Sequence, residues 1–188
     1  PPPPELPGLA AETLLPGALY GIARRHGLAF GRRFRRMAAV ERFGPDHMQV
    51  RLTRPPPDAT AGYGIDPTEL DGVFQSLIAL FSAHDAEAGV AFLPARFGEI
   101  RLYQPGRPVC RGRIEIRRVS ARSLLADFTV LAGDGSVVAT LREGRFRAGS
   151  LVRPFRMERA ALHMVTEVLG DDGTAVAEEG LAALAAAV

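Results

Sequence analysis

The 188-residue sequence contains one cysteine, no tryptophan and no lysine. The single cysteine, Cys110, excludes an intramolecular disulfide and favours a reducing compartment, so we expect a cytoplasmic protein. No run of about 18 apolar residues occurs, so no membrane-spanning helix is predicted. The proline-rich start, PPPPELPGLA, lacks the basic and apolar regions that are typical of a signal peptide.

Positive and negative charges nearly balance, and the formal net charge is only +2. One segment, RRHGLAFGRRFRRM, is strongly basic and contains Arg24, Arg25, Arg32, Arg33, Arg35 and Arg36. Such a cluster is typical of a solvated basic face, and it could also dock an acidic protein or a phosphate group. Binding to nucleic acid is disfavoured, because only Phe30 and Phe34 could stack on bases and no nucleic-acid-binding motif is present.

Metal and phosphate sites also lack their usual sequence signals. The histidines are scattered, and with one cysteine they form no ligand cluster at a workable spacing. No glycine-rich phosphate loop follows a predicted strand. We therefore expect neither a metal nor a bound cofactor.

The length fits one domain with flanking segments. We expect a proline-rich linker over residues 1–16, a folded domain over 17–152, and an extension or linker over 153–188. The patterns predict a short helix in GALYGIARRHGL and two strands, MAAVERF and DHMQVRL, around a GPD turn. TRPPPDATAG must be an exposed loop, because consecutive prolines remove backbone donors.

A longer helix follows in GIDPTELDGVFQSLIALFS. Asp66, Pro67 and Glu69 have the spacing of an N-cap, an N1 proline and an N3 glutamate, which together predict a capping box. The helix is expected to run to about Ser82, where HDAEAG ends it. Beyond it, alternation with a period of two predicts four strands, FGEIRLY, VCRGRIEIRRV, SLLADFTVL and SVVATLREGRF, with a hairpin turn in AGDGS.

The order of these elements predicts an α+β fold in which a curved antiparallel sheet wraps one central helix. The helix has a broad apolar stripe on one side and small residues on the other, so we expect both sides to be covered. The stripe consists of Leu70, Val73, Phe74, Leu77, Leu80 and Phe81, and the small residues are Gly72, Ser76 and Ala79. Asp71 and Gln75 lie one turn apart on the flank between those sides.

A carboxylate in a buried helix must be paired, hydrogen-bonded or protonated. A desolvated Asp71 would have a raised pKa and could act as an acid near neutral pH, with Gln75 fixing its orientation. The alternative is that Asp71 reaches solvent at the helix edge, where an Asp–Gln pair at this spacing supports the helix. The pattern alone leaves both interpretations open.

Four segments together resemble the dehydratase domains of modular type I polyketide synthases. YGIDPTELDGVFQ resembles that family's HPxLLDAxxQ signature, and GLAFGRRFRRM resembles its YGPxFQGL segment. FLPARFGEIRLY resembles LPxxxxxVRLY, and GDGSVVATLREGRFR resembles the family's closing strands. All four occur in the family's order, over about residues 17–152.

The resemblance implies a hotdog fold, and specifically the second, C-terminal half of a double hotdog. It implies that Asp71 is the catalytic aspartate and Gln75 its hydrogen-bonding partner. A histidine of the first half would remove the α-proton of a β-hydroxyacyl thioester, and the aspartate would help the β-hydroxyl leave as water. The matching segments imply substrate contacts from Phe30, Gly31, Phe34, Pro67, Leu70, Phe74, Leu93 and Pro94.

The resemblance also implies the partners. The substrate would be carried on the phosphopantetheine of an acyl carrier protein, and a histidine-bearing N-terminal hotdog half would lie on the same or another chain. The parent protein would be a homodimer, without nucleic acid or membrane as a partner. The proline-rich start fits a linker inside a larger multidomain protein.

The sequence departs from the family at several positions. The family's HxxxGxxxxP motif, which carries the catalytic histidine, does not occur here, and Asp66 replaces the histidine of HPxLLD. Phe30, Arg32, Arg35 and Arg36 replace the tyrosine, proline, glutamine and glycine of YGPxFQG. We therefore expect half of an active site, which is inactive alone.

Three functions remain open at this point. The first is dehydration by the aspartate-bearing half. The second is a related reaction with the same acid and base, namely double-bond isomerisation, pyran-forming ring closure or aromatic cyclisation. The third is a non-catalytic hotdog that docks carrier or partner domains.

Overall fold

The computed structural model describes residues 2–53, 62–82 and 90–150. These residues form two α-helices, α1 Pro16–Arg25 and α2 Pro67–Gln75, and two 3-10 segments, Arg32–Phe34 and Ser76–Ser82. The strands are β1 Glu12–Leu14, β2 Met37–Phe43, β3 His47–Leu52, β4 Val90–Arg96, β5 Glu99–Leu102, β6 Arg111–Val119, β7 Ser123–Leu131 and β8 Val137–Ser150.

The strands form one antiparallel sheet in the order β1–β2–β3–β6–β7–β8–β4, and β5 pairs with β8 beside β4. The predicted hairpin between β2 and β3 is confirmed, with Val40 opposite Val50 and Gly44 at a φ of 74° in the turn. That positive φ suits glycine, which has no Cβ to clash. The alternation predicted in β6 is also confirmed, because Ile114 and Ile116 are buried between partly exposed neighbours.

Two strands were not expected from the sequence. Glu12–Leu14, inside the predicted linker, pairs with β2, and the preceding Ala11 N–H donates to the carbonyl of Arg42 at 2.8 Å. Strand β4 contains Pro94, which disfavours a central strand. It is tolerated because β4 is at the edge of the sheet formed by the described strands, where it pairs with β8 and has an irregularity in register between Pro94 and Arg96.

The central helix begins as predicted at Asp66, whose Oδ1 accepts a hydrogen bond from the Thr68 N–H at 2.7 Å. The capping-box role of Glu69 is wrong. Its side chain is fully buried and accepts from the backbone N–H of Val109 at 2.9 Å, just before β6. The reason is tertiary, since a buried backbone N–H needs an acceptor and Glu69 supplies it to a residue 40 positions along the chain.

Both sides of the central helix are covered, as the stripe and the small residues predicted. Val73, Leu77 and Leu80 are buried in the core inside the sheet. A Cβ atom at Gly72 would come within 3.0 Å of both Arg36 and Leu52, so the small side lets those residues approach closely. The single helix expected up to Ser82 instead tightens into a 3-10 segment after Gln75, where Ser76 Oγ donates to the Val73 carbonyl at 2.6 Å.

Several predicted segments lie outside the described residues. They are the loop in TRPPPDATAG, most of the HDAEAG segment that was expected to end the helix, and the extension over residues 153–188. The helices among the described residues all fall short of the length and hydropathy that a membrane-spanning helix needs.

Candidate functional site

A cleft of about 100 Å³ opens beside the central helix, between the end of that helix, the edge strand β4 and the loop that follows α1. Its walls are apolar except at one place, where Asp71 and Gln75 face it. The lining residues are Leu28, Phe30, Asp71, Phe74, Gln75, Leu77, Ile78, Phe81, Phe92, Leu93, Pro94 and Phe146. An apolar cleft with few polar groups is the usual form of a small-molecule site.

Asp71 is half-buried in the wall of this cleft, and burial raises the pKa of its carboxyl group. Gln75 Nε2 donates to Asp71 Oδ2 at 2.6 Å, which offsets part of that rise. Gln75 is itself buried, and the same Nε2 donates to the Phe34 carbonyl at 2.9 Å. The predicted Asp71–Gln75 hydrogen bond is therefore present, and the amide fixes the carboxyl in place.

A third polar side chain reaches this pair from α1. The Tyr20 hydroxyl donates to Gln75 Oε1 at 3.4 Å and accepts from the backbone N–H of Met37 at 3.1 Å. Burial also raises the pKa of Tyr20, so its hydroxyl keeps its proton. No local pattern predicts this contact, because Tyr20 lies 55 residues from Gln75.

Four of the predicted substrate contacts line the cleft, namely Phe30, Phe74, Leu93 and Pro94. The other four, Gly31, Phe34, Pro67 and Leu70, do not. Pro67 is exposed at the first turn of α2, and Leu70 packs against the core instead. The Phe34 carbonyl accepts from Gln75, and the residue as a whole is 41% exposed.

Other cleft residues were predicted only as core or were not singled out. Leu77 and Phe81 belong to the apolar stripe, and Phe81 stacks on Phe92 with ring centroids 5.5 Å apart. Phe146 lies opposite Pro94 across the β4–β8 pair and contacts Phe74 edge-on at 5.8 Å. Strand pairing brings these aromatic side chains to one wall, and pairing is not readable from spacing along the chain.

The cleft as described contains an acid but no base. Among the described residues, no histidine lines it, and His26 is hydrogen-bonded to the Val90 carbonyl at 2.7 Å and stacked on Phe81. Within the described ranges, no group of three or more His, Cys, Asp or Glu side chains could hold a metal ion. The arrangement can therefore donate a proton from Asp71 to a group in an apolar cleft.

An antiparallel sheet wrapped around one central helix, with this cleft at the helix, defines a hotdog fold. The chain belongs to the family described as the polyketide synthase dehydratase N-terminal domain, whose model matches residues 1–154.

Solved structures with the same fold are dehydratase domains. The chain is 18% identical to the dehydratase domain from the CurJ module of the curacin polyketide synthase, with a TM-score of 0.67 over 76% of this chain and 50% of that one. It is 20% identical to the dehydratase domain of PpsC from Mycobacterium tuberculosis in complex with C12:1-CoA, with a TM-score of 0.63 over 79% and 56%.

A third solved relative is the dehydratase domain of RzxB from Pseudomonas fluorescens, at 23% identity and a TM-score of 0.63 over 72% and 49% of the two chains. The chain thus spans about half the length of the structures it matches. No curated protein matches the sequence significantly.

Proposed function

We propose that this chain is the aspartate-bearing, C-terminal hotdog half of a polyketide synthase dehydratase. It acts on a β-hydroxyacyl thioester carried by an acyl carrier protein, and the products are water and an α,β-unsaturated thioester. The observation that supports this is the half-buried Asp71 carboxyl group, which is held by Gln75 at 2.6 Å on the wall of an apolar cleft.

The chemistry needs two groups. A base from the histidine-bearing half removes the α-proton, and the electron pair of that C–H bond forms the double bond. Asp71 gives its proton to the β-hydroxyl, which leaves as water. Burial raises the pKa of Asp71, so it keeps its proton to a higher pH than an exposed aspartate does.

The choice of the C-terminal half is part of the proposal, since the matching family model carries the description of the N-terminal domain. The support comes from Asp71 and Gln75 in YGIDPTELDGVFQ, which matches the signature of the second half. The sequence also lacks the HxxxGxxxxP motif that marks the first half.

Complementation tests both parts of this proposal. The chain is mixed with either of two inactivated family dehydratases. One has a disabled aspartate half, and the other has a disabled histidine half. Water elimination from a synthetic β-hydroxyacyl thioester is then measured. We expect activity only with the dehydratase that keeps its histidine half, and none from the 188 residues alone. Rescue of the other dehydratase, or elimination by the chain alone, would contradict the assignment.

One observation favours a second candidate, a non-catalytic docking hotdog. Phe30 lines the cleft where the family has a tyrosine, so that hydroxyl is absent and Asp71 and Gln75 are the polar side chains in the lining. Binding of a carrier protein without turnover in any complemented mixture would support this candidate. Formation of an isomerised or cyclised product in the same mixtures would instead identify one of the related reactions.

We also propose that the exposed arginines next to the cleft dock the acidic carrier protein. Arg24, Arg25, Arg32, Arg33 and Arg35 are exposed, and none of them forms an ion pair with a described carboxylate. Arg36 does not belong to this surface, because it is buried beside Glu69. The loop between these arginines carries Leu28 and Phe30 into the cleft lining.

Charge reversal tests the docking surface. The double variant Arg32→Glu, Arg33→Glu should bind an acidic carrier protein about tenfold more weakly at low salt. The matched control is Arg145→Glu, Arg147→Glu, which reverses two exposed arginines on β8. Equal weakening by both pairs would mean that net charge, rather than this surface, governs binding.

A further inference from the structure

Both N–H donors of the Gln75 amide are used, and its oxygen also accepts a hydrogen bond. Its Nε2 donates both to Asp71 Oδ2 at 2.6 Å and to the Phe34 carbonyl at 2.9 Å, and its Oε1 accepts from the Tyr20 hydroxyl at 3.4 Å. An amide NH₂ group has two hydrogens, and both are used here. The orientation of this amide therefore determines what Asp71 meets.

The partners allow only one orientation of that amide. Turned by 180°, Gln75 would place its oxygen against the Phe34 carbonyl and the Asp71 carboxylate, which are both acceptors. The Met37 N–H can only donate, so the Tyr20 oxygen accepts that bond and its O–H remains to donate to Gln75 Oε1. This one backbone donor therefore sets which group donates and which accepts in each hydrogen bond between Met37 and Asp71.

We propose that Tyr20 is a positioning residue for Asp71, which acts through Gln75: the backbone N–H of Met37 orients the tyrosine hydroxyl, the hydroxyl holds the amide, and the amide donates to Asp71 Oδ2. Because Oδ2 already faces an N–H donor, the acid proton of Asp71 resides on Oδ1. Among the described residues, Oδ1 accepts no hydrogen bond, so it is the oxygen that is free to meet a substrate. The proposal rests on the proposed function only in treating Asp71 as an acid.

The surroundings of Tyr20 hold its ring in place. The ring meets Phe30 edge-on with centroids 6.1 Å apart, and the Arg35 guanidinium lies 5.8 Å from the ring centroid. These contacts involve the ring and not the hydroxyl. Tyr20→Phe therefore removes the proposed interaction and keeps the packing, which makes it a suitable variant.

The test measures the pKa of the Asp71 carboxyl by NMR titration of the 188-residue chain, without any turnover. The Gln75 hydrogen bond lowers that pKa, so its loss should raise it. We expect a rise in Tyr20→Phe, a larger rise in Gln75→Leu, and no further rise when Tyr20→Phe is added to Gln75→Leu. Two residues that act in series give this non-additive result, whereas independent structural effects add.

The control is Tyr63→Phe, which removes the hydroxyl of a tyrosine that is 58% exposed. It should leave the pKa of Asp71 unchanged. An unchanged pKa in Tyr20→Phe, or an equal additional rise in the Gln75→Leu background, would overturn the proposal.

Kinetics of the complemented dehydratase give a second readout. Tyr20→Phe should lower kcat by about threefold to tenfold, the size of one net hydrogen bond, and leave KM unchanged. The high-pH limb of the pH–rate profile should shift to higher pH, because the pKa of Asp71 rises. If no mixture turns over while the NMR result holds, the proposed function fails and the positioning role of Tyr20 stands.

Discussion

Two carboxyl groups lie two residues apart on one helix. Both have a raised pKa, but they differ in their hydrogen-bonding partners and in their access to the cleft. Glu69 is fully buried at the first turn of α2, where it accepts from the Val109 N–H and lies 3.9 Å from the Arg36 guanidinium. Asp71, two residues further along, is half-buried, and there an amide holds one of its oxygens and a cleft lies beside it. Burial raises the pKa of both.

The difference shows that a perturbed pKa does not by itself identify a catalytic group. Glu69 is fully buried and does not line the cleft, and its partners are a backbone N–H and a cation. No described residue donates to Asp71 Oδ1, and the cleft lies beside this carboxyl group. Access separates a carboxyl group that joins the helix to the sheet from one that can exchange a proton with a ligand.

The largest expected effect separates the two residues by activity. In the complemented dehydratase, Asp71→Asn should lower kcat by about 10²- to 10⁴-fold, the usual contribution of a general acid. Glu69→Gln should leave kcat unchanged, because Glu69 does not reach the cleft. Measured water elimination from a synthetic thioester decides this, and undiminished turnover in Asp71→Asn would reverse the assignment.

For stability we expect the reverse, with a larger effect from Glu69 than from Asp71. Glu69→Ala should lower the free energy of unfolding by about 3 kcal/mol, because it leaves the Arg36 charge and the Val109 N–H buried without a carboxylate. Urea denaturation measures the loss, and Asp71→Asn should change it little. The control is Glu99→Ala on exposed β5, expected within about 0.5 kcal/mol of the parent chain. If Glu69→Ala lowers the free energy of unfolding no more than the control does, the contacts of Glu69 with Arg36 and the Val109 N–H contribute nothing to stability.

A smaller effect is expected at the helix start. Asp66→Ala should cost about 1 kcal/mol, because the side chain caps the Thr68 N–H at 2.7 Å. Asp66→Asn keeps an acceptor oxygen and should cost less, and urea denaturation compares the two. Equal costs would show that the charge of Asp66, and not its hydrogen bond, stabilises the helix.

The smallest effect is a dependence of stability on pH. The pKa values of Asp71 and Glu69 are raised above 3.8 and 4.5, so the native state holds these protons more tightly than the unfolded state does. Their contribution to stability is present below those values and is lost as pH rises through the native pKa. Asp71→Asn and Glu69→Gln cannot ionise, so both should gain stability relative to the parent chain as pH rises from about 4 to 7.

Asp134 supplies a control of opposite sign. The Ser136 N–H and hydroxyl donate to its carboxylate and lower its pKa, so its contribution is present at neutral pH and lost as pH falls. Asp134→Asn should therefore lose stability relative to the parent chain as pH rises. Unfolding free energies across that range measure all three variants, and a difference that is independent of pH would contradict the buried environments described for Asp71 and Glu69.

Local patterns predicted the parts of the site that lie within one helix. The spacing of Asp71 and Gln75 predicted their hydrogen bond, and Asp66 was identified as the cap, because both depend on contacts one helical turn or less apart. Strand β4 was missed because Pro94 opposes a strand assignment, and only an edge position permits it. Glu69 fits a capping box in sequence, but a backbone N–H 40 residues away takes its carboxylate.

Local sequence patterns were enough to predict the α+β element order, the amphipathic central helix and the pair of polar residues on its flank. Those features follow from periodicity and from hydrogen bonds between near neighbours. Three further features were visible only in the folded chain: the cleft beside Asp71, the hydrogen bonds that link Met37 and Tyr20 to Gln75, and the burial of Glu69 away from the cleft. Each of these depends on which distant segments pack together, and no local rule along the chain specifies that packing.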